Sequence, residues 1–328
     1  MIADAGNESI RRASELLRSG RLVAIPTETV YGLAADASNP EAVGRIFAAK
    51  GRPADHPLIV HLDADARLDD WGRDTPDAAH LLADAFWPGP LTMILRRQPS
   101  VLPVVTGGLD TVALRMPAHP VAQRLLKVFG GGLAAPSANR FGRVSPTTAE
   151  DVDADLGDGV DLIIDGGPCD IGLESTIVAW TGDEVAIVRP GGIGPEAIAD
   201  VLGCRVVMSE DGSVRAPGTL ASHYAPSTPV ELCAIGSIED RVAELASTGA
   251  RVGVLSLSHV NAAGAVVAWH TQGDVDALAR SLYGYLRRAD TEALDVLVVS
   301  LPPAKGLGIA VGDRLRRAAR AESPTRRV

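Results

Sequence analysis

The sequence holds three cysteines, Cys169, Cys204 and Cys233, far apart and without the paired spacing that zinc and thiol redox motifs use. A reducing compartment suits them. No apolar run approaches the length needed to span a bilayer. The opening residues carry Asp4 and Glu8 and pass into an amphipathic pattern without the apolar stretch of a signal peptide. A soluble, cytoplasmic protein with no membrane partner is therefore expected. Asn7-Glu8-Ser9 fits a glycosylation pattern, but without a secretory signal it reads as the cap of a first helix. Walker A, zincin and nucleophile-elbow patterns are missing. Lysine is scarce: arginine fills 28 of the 31 basic positions and leaves only Lys50, Lys127 and Lys305. A lysine kept at position 50 points to a need for a compact ammonium charge.

What is present is enough apolar material, 46% of 328 residues, for two cores. The formal net charge of -10 argues against broad nucleic-acid binding. A Debye length of roughly 8 Å still leaves room for a local cationic pocket. The spacing predicts a first helix from about Asn7 to Ser19, then a buried strand that breaks at Pro26 into the polar turn Thr27-Glu28-Thr29. Asn39 and Pro40 open a second helix and Gly51 stops it, which puts Lys50 on its last turn. Strands and helices alternate onward, and several strands follow one another directly, so a mixed sheet is expected over residues 1–207. Residues 208–229 lack apolar periodicity and read as a linker, and 230–328 as a smaller Rossmann-like α/β domain. "GLGIAVG", Gly306 to Gly312, is only a loose dinucleotide fingerprint, off by one in spacing and placed after the last strand.

Lys50, Arg52, His56 and His61 crowd one short stretch of this acidic chain. Set beside Arg115 and the hydroxyl and amide groups of Ser137, Asn139 and Ser145, they suit a polyphosphate. Ordinary roles exist for each: Lys50 as a complement to a helix C-terminus, His61 as a core histidine, Arg115 in an ion pair, Glu28 as a turn cap. The functional reading rests on all these runs falling at strand ends, where α/β proteins bind ligands.

The ordered motifs "PTETVYGLAADA", "KGRP", "HPLIVHL", "WPGPLT", "ALRMP", "APSAN…SPT", "ESTIV" and "VRPGG", followed by "APGTLASHYAP", resemble the YrdC-like family in its long, two-domain threonylcarbamoyl-AMP synthase form. The resemblance spans nearly the whole chain. It implies synthesis of L-threonylcarbamoyladenylate and pyrophosphate from L-threonine, bicarbonate or CO₂ and ATP, usually with Mg²⁺. The product would feed a transferase complex that makes N6-threonylcarbamoyladenosine in tRNA. Carried over by motif, Lys50, Arg52, Ser137 and Asn139 form the catalytic signature. ATP would meet Arg52, His56, Thr111, Ser137, Ser145, Arg189 and the linker's Tyr224; L-threonine would meet Thr29, His61, Arg115 and Ser175. No metal ligands are assigned. Phe141 departs from the family, which often carries a small polar residue there.

The alternative is an RNA-binding or ribosome-maturation factor of the same fold that uses the tail "DRLRRAARAESPTRRV". A solvated helix explains that tail as well. Carbamoyl transfer of the hydrogenase-maturation kind lacks its paired-cysteine modules here.

Overall fold

The computed structural model describes residues 1–182, 184–209, 214–218 and 224–320. The chain divides into one compact unit of Met1–Phe141 with Ser145–Thr219, and a second of Gly142–Val144 with Leu220–Val328.

In the first unit the strands are β1 (Ile2–Ala3), β2 (Val23–Ile25), β3 (Gly32–Asp36), β4 (Ile59–His61), β5 (Gly72–Arg73), β6 (Leu91–Arg97), β7 (Thr111–Arg115), β8 (Leu133–Ala134), β9 (Leu162–Ile164), β10 (Thr176–Thr181), β11 (Glu184–Arg189) and β12 (Val207–Met208). Among the described residues they form one 12-stranded sheet in the order β1-β9-β2-β3-β8-β4-β7-β6-β10-β11-β12, with β5 on β6. The sheet is mixed: β4 runs parallel to β7 and β6 to β10, whereas β6 and β7 are antiparallel. The helices are α1 (Asn7–Arg18), α2 (Pro40–Lys50), α3 (Asp77–Phe86), α4 (Pro103–Thr106), α5 (Pro120–Phe129), α6 (Ala149–Leu156) and α7 (Pro195–Leu202).

Alternation along the strands sends successive side chains to opposite faces. One face (Leu33, Ala35, Ala134, Val60, Leu114, Met93, Val178) packs on α2, α3, α6 and α7 through Ile46, Leu82, Val152 and Ile198. The other face is covered at Val23, Ile25, Ala34, Leu133 and Leu162 by α1 and α5, through Leu17, Leu125 and Leu126. Farther along, at Ile59, Ala113, Ile94, Ile177 and Ala179, joined by Val188 of β11, the cover is Ala216 with Val214. A stretch of the second face is therefore roofed by a connecting segment instead of a helix.

The caps follow the sequence with one correction. Asn39 accepts from the amides of Glu41 and Ala42, and Gly51 ends α2 at φ 62°. That left-handed conformation is one glycine reaches without steric cost. Asn7, however, is the first residue of α1 and not its cap. Gly6 holds the cap position, and the Asp4 carboxylate takes the polar role by accepting from Gly6 N and Ser9 Oγ.

The second unit has β13 (Val230–Leu232), β14 (Val252–Ser256), β15 (Val267–His270) and β16 (Val296–Val299), all parallel, in the order β13-β16-β14-β15. Its helices are α8 (Ile238–Ser247), α9 (Val275–Thr291) and α10 (Leu307–Ala319). The expected α/β class, a large mixed sheet and a smaller Rossmann-like layer, is what the structure shows. Within this unit Arg143 donates to Ser227 Oγ, and Arg287 to Val144 O.

Two arginines of α10 correct the reading of a solvated tail, while Arg316 and the following Arg320 are exposed. Arg314 is fully buried, paired with Asp313 and stacked over the Tyr224 ring, and Arg317 is buried on the same carboxylate. A guanidinium leaves water here because an anion and an aromatic face replace its hydration. Residues 321–328 of the tail lie outside the described residues.

Candidate active site

The polar side chains of the first unit gather where helix cover gives way to residues 214–218. Register aligns His61 on β4 with Arg115 on β7, Arg115 with Thr92 on β6, and Thr92 with Ile177 on β10. By alternation this row shares its face with Ile59, Ala113, Ile94 and Ala179, the residues that Ala216 covers.

Arg115 is buried and donates through Nη2 to Glu28 Oε1 at 2.6 Å and through Nε to Gly89 O at 3.4 Å. The other Glu28 oxygen accepts from Ala118 N at 3.0 Å. Glu28, read from sequence as a turn cap, is thus the buried counter-ion of Arg115. Nη1 of Arg115 has no hydrogen-bond partner among the described residues, and neither has the buried Nδ1 of His61. Burial, and then the neighbouring Arg115 charge, hold the His61 imidazole down to about 3. His61 is a neutral ring at physiological pH. Thr29 is buried in the same turn as Glu28, where its hydroxyl pairs with Thr27 Oγ1 at 2.8 Å.

Beside the row, Ser175 Oγ bonds Thr92 Oγ1 at 2.7 Å. Arg189 donates to Ser175 O at 2.8 Å, to Ser175 Oγ at 3.1 Å, and through Nη1 to Pro217 O at 2.9 Å. Arg189 therefore ties β11, the start of β10 and the covering segment together. Gly191 makes that close approach possible, since a Cβ there would lie 2.3 Å from Glu174 O. Ser145 is fully buried and donates to Glu174 Oε1 at 2.6 Å.

The remaining cations line up from the end of α2. Lys50 is buried, and its Nζ donates to the carbonyls of Ser137 and Asn139, which clamps the Ser137–Asn139 turn onto the helix. Burial first, and Arg52 second, hold its amine well below the ordinary lysine range. Both carbonyls are backbone groups, so Lys50 carries a structural load that its sequence position did not reveal. The same turn is strapped to β3 by Leu33 N on Pro136 O and Ala138 N on Tyr31 O. Arg52 is buried, donates to Pro57 O at 3.0 Å, and lies 5.7 Å over the ring of Phe141. That ring also meets His56 edge-on at 5.4 Å. Phe141, the departure from the family pattern, thus links the two. Burial and Arg52 lower the His56 pKa. Thr111 opens β7 on the face of Arg115, four residues away, or about 13 Å at strand rise.

The structure thus brings together Lys50, Ser137 and Asn139; Arg52, His56 and Phe141; Arg115 with His61; and Ser175 with Arg189. Thr29, Thr111 and Ser145 belong to the same unit. Tyr224 belongs to the second unit, where it is buried with φ 63° and stacks on Tyr283 with ring centroids 5.9 Å apart. Three participants were missed: Glu28 as the arginine's partner, Thr92 and Glu174. All three stand in quoted motifs, Glu28 in "PTETVYGLAADA", Thr92 at the end of "WPGPLT" and Glu174 in "ESTIV", which was a usable signal.

Among the described residues no group of three His, Cys, Asp or Glu side chains converges as a metal cage. Mg²⁺ in nucleotide sites keeps several waters and binds through one or two carboxylates plus substrate phosphates. Glu174, beside the Ser145 hydroxyl, is a carboxylate that fits that donor set. No helix of the described residues is long and apolar enough to cross a membrane.

Two family models match the chain. The Sua5, YciO and YrdC model, described as telomere recombination, matches residues 15–191, and the threonylcarbamoyl-AMP synthase C-terminal domain matches 193–320. The threonylcarbamoyl-AMP synthase of Pyrococcus abyssi is 42% identical over 94% of this chain and 93% of its own. That of Bacillus subtilis is 42% identical over 94% and 92%. The crystal structure of P. abyssi Sua5 complexed with L-threonine superposes with a TM-score of 0.92 at 40% identity, covering 97% of each chain.

Proposed function

The chain belongs to the Sua5, YciO and YrdC family, with the C-terminal domain of its threonylcarbamoyl-AMP synthases, and on that premise we propose that it makes L-threonylcarbamoyladenylate and pyrophosphate from L-threonine, bicarbonate or CO₂ and ATP. The product would serve a cytoplasmic transferase complex that modifies tRNA. The observation that carries this reading is the adjacent pair of unsatisfied groups, Arg115 Nη1 and His61 Nδ1, on a buried polar row beside Ser175. An arginine already oriented by Glu28 presents its open edge to an amino-acid carboxylate in fixed geometry. A neutral imidazole beside it leaves the substrate amine free to lose its proton.

In the proposed reaction the threonine amine adds to CO₂, and the carbamate oxygen attacks the α-phosphorus of ATP in line as pyrophosphate leaves. The nucleotide would lie toward Thr111, Arg52 and His56, with Ser137, Ser145 and Arg189 as further contacts. Its phosphates would face Arg52, whose guanidinium Phe141 supports. A charge pair at about 4 Å is worth on the order of 4 kcal/mol at an effective dielectric near 20. Lys50 acts in this scheme by holding the Ser137–Asn139 turn in shape. Mg²⁺, carried on the phosphates, would be met by Glu174 and Ser145 and would neutralise charge on the leaving pyrophosphate.

Carbamates hydrolyse in water, so a cover over the site has chemical value. Residues 214–218 supply part of one: Ala216 packs on the sheet, Pro217 O accepts from Arg189, and Arg215 pairs with Asp55 at 2.8 Å. We assign the lid to the linker read at positions 208–229, of which residues 214–218 make these contacts with the first unit; Tyr224, read from sequence as its nucleotide contact, is buried within the second unit against Tyr283 and Arg314. The deciding assay is release of pyrophosphate from ATP. It should require both L-threonine and bicarbonate; release independent of either would refute the reading.

A further inference from the structure

The second unit contains a cavity of about 610 Å³ at the C-terminal edge of its parallel sheet. Its walls are the ends and following loops of three neighbouring strands: Cys233 to Ile235 after β13, Leu257 and Ser258 after β14, and Ser300 to Pro303 after β16. In open parallel sheets this edge binds ligands where the connections from adjacent strands diverge. Here the connections do diverge. The chain leaving β13 enters α8, which covers the face of Val252, Val254, Val296 and Val298, while the chain leaving β16 enters α10, which packs on α9 and β13.

Three observations show that the cavity is built for an occupant. Ser300 is 3% exposed and lines it, yet its hydroxyl has no hydrogen-bond partner. A buried polar atom left unmatched is rare without a ligand or water to complete it. Ile235 and Leu301, among the large apolar side chains left exposed, both sit on its wall. The adjacent α10 begins at Gly306 with no side-chain cap and no acidic residue in its first turn. Gly308 brings that turn against Pro303, since a Cβ would lie 2.0 Å from Pro303 O. Pro303 of the cavity wall thus packs on the first turn of α10, the positive end of its dipole, with the exposed Lys305 on the loop between them.

Apolar walls from Ile235, Leu257, Leu301 and two prolines take a flat ring, Ser300 supplies one directional hydrogen bond, and α10 with Lys305 receives an anion. We infer that this cavity binds a nucleoside monophosphate, independently of the proposed catalytic site in the first unit. Its volume falls within the range of small-ligand pockets.

Cys233 lines the cavity, whereas Cys204 is exposed in the first unit, so alkylation of the full-length chain reports on the two places separately. With AMP as the probe, mass spectrometry should show saturable slowing of Cys233 alkylation at an unchanged Cys204 rate. Ser300→Ala should weaken that protection roughly tenfold, the effect of one buried hydrogen bond. Ala234→Trp, at an exposed position on the wall, should abolish it without changing the melting temperature. Unchanged Cys233 alkylation at millimolar AMP would overturn the inference, as would equal protection by inorganic phosphate alone or protection that survives Ala234→Trp.

Discussion

Replacing Lys50 with methionine tests the buried clamp at the end of α2. Methionine keeps most of the aliphatic stem but leaves the carbonyls of Ser137 and Asn139 without their donor. Each orphaned buried acceptor costs about 1 to 3 kcal/mol, so the clamp alone accounts for roughly 2 to 6 kcal/mol. Against this stands the penalty for stripping water from an ammonium group, which the depressed pKa expresses. The two terms separate by pH. Between the lowered folded pKa and the ordinary 10.5, the unfolded chain holds a proton at Lys50 that the folded chain does not. Stability of the wild type must therefore rise with pH in that window, by up to roughly 1 kcal/mol per pH unit, while the methionine variant lacks this contribution. Urea unfolding followed by tryptophan fluorescence at pH values rising toward the ordinary 10.5 should show the variant's deficit widening. A deficit that is flat or narrows would mean burial does not lower the Lys50 pKa on folding, and the desolvated clamp would be wrong.

Glu28→Gln removes the charge that orients Arg115; a broken buried ion pair costs about 3 to 5 kcal/mol, and the Michaelis constant for L-threonine should rise more than that for ATP. Equal effects on both constants would argue against Arg115 as the carboxylate clamp. Ser145→Ala deletes the bond to Glu174 and should weaken ATP about tenfold while leaving the threonine constant within twofold, a split that steady-state kinetics reads directly. In the ligand-free protein the exposed Cys204 should react with a thiol reagent first and Cys169 only on unfolding, because burial and then the Glu28 charge push the Cys169 thiol up. Rapid labelling of Cys169 in native protein would contradict its place in the core.

The sequence made the scaffold legible because local signals coincide with tertiary needs. Asn39, Pro40 and Gly51 punctuate α2 by backbone chemistry alone. The strand-end position of Arg115 and the strand placement of His61 marked both as candidates, whereas only the register of β4 on β7 puts them on one face. What could not be read is which partner each polar group meets. Glu28 and Arg115 are 87 positions apart, and Thr92 and Ser175 are 83 apart. Those pairings depend on the order β4-β7-β6-β10, which no local periodicity encodes. Lys50 illustrates the same limit: its place on the last turn of α2 followed from sequence, whereas its burial and its two carbonyl partners follow from how the Ser137–Asn139 turn is strapped to β3.

The site's location follows from a shortage of helix on one side of the sheet. On the first face, α2, α3, α6 and α7 extend across most strands, and the side chains there are aliphatic. On the second face α1 and α5 reach only as far as β8, so β4, β7, β6 and β10 carry isoleucines and alanines interrupted by His61, Arg115 and Thr92. Polar groups in such a row keep their hydrogen-bonding value because a connecting segment, not a packed helix, covers them. A loop does this with backbone carbonyls as well as apolar contacts, as Pro217 O on Arg189 and Ala216 on the sheet both show. Arg189→Lys keeps the charge but loses the fork that spans Ser175 and Pro217. It should loosen the cover without unfolding the sheet. Hydrogen exchange of peptides spanning residues 214–218 should then accelerate while those from β6 and β7 stay protected, and loss of protection throughout the sheet would show that the arginine holds the core instead.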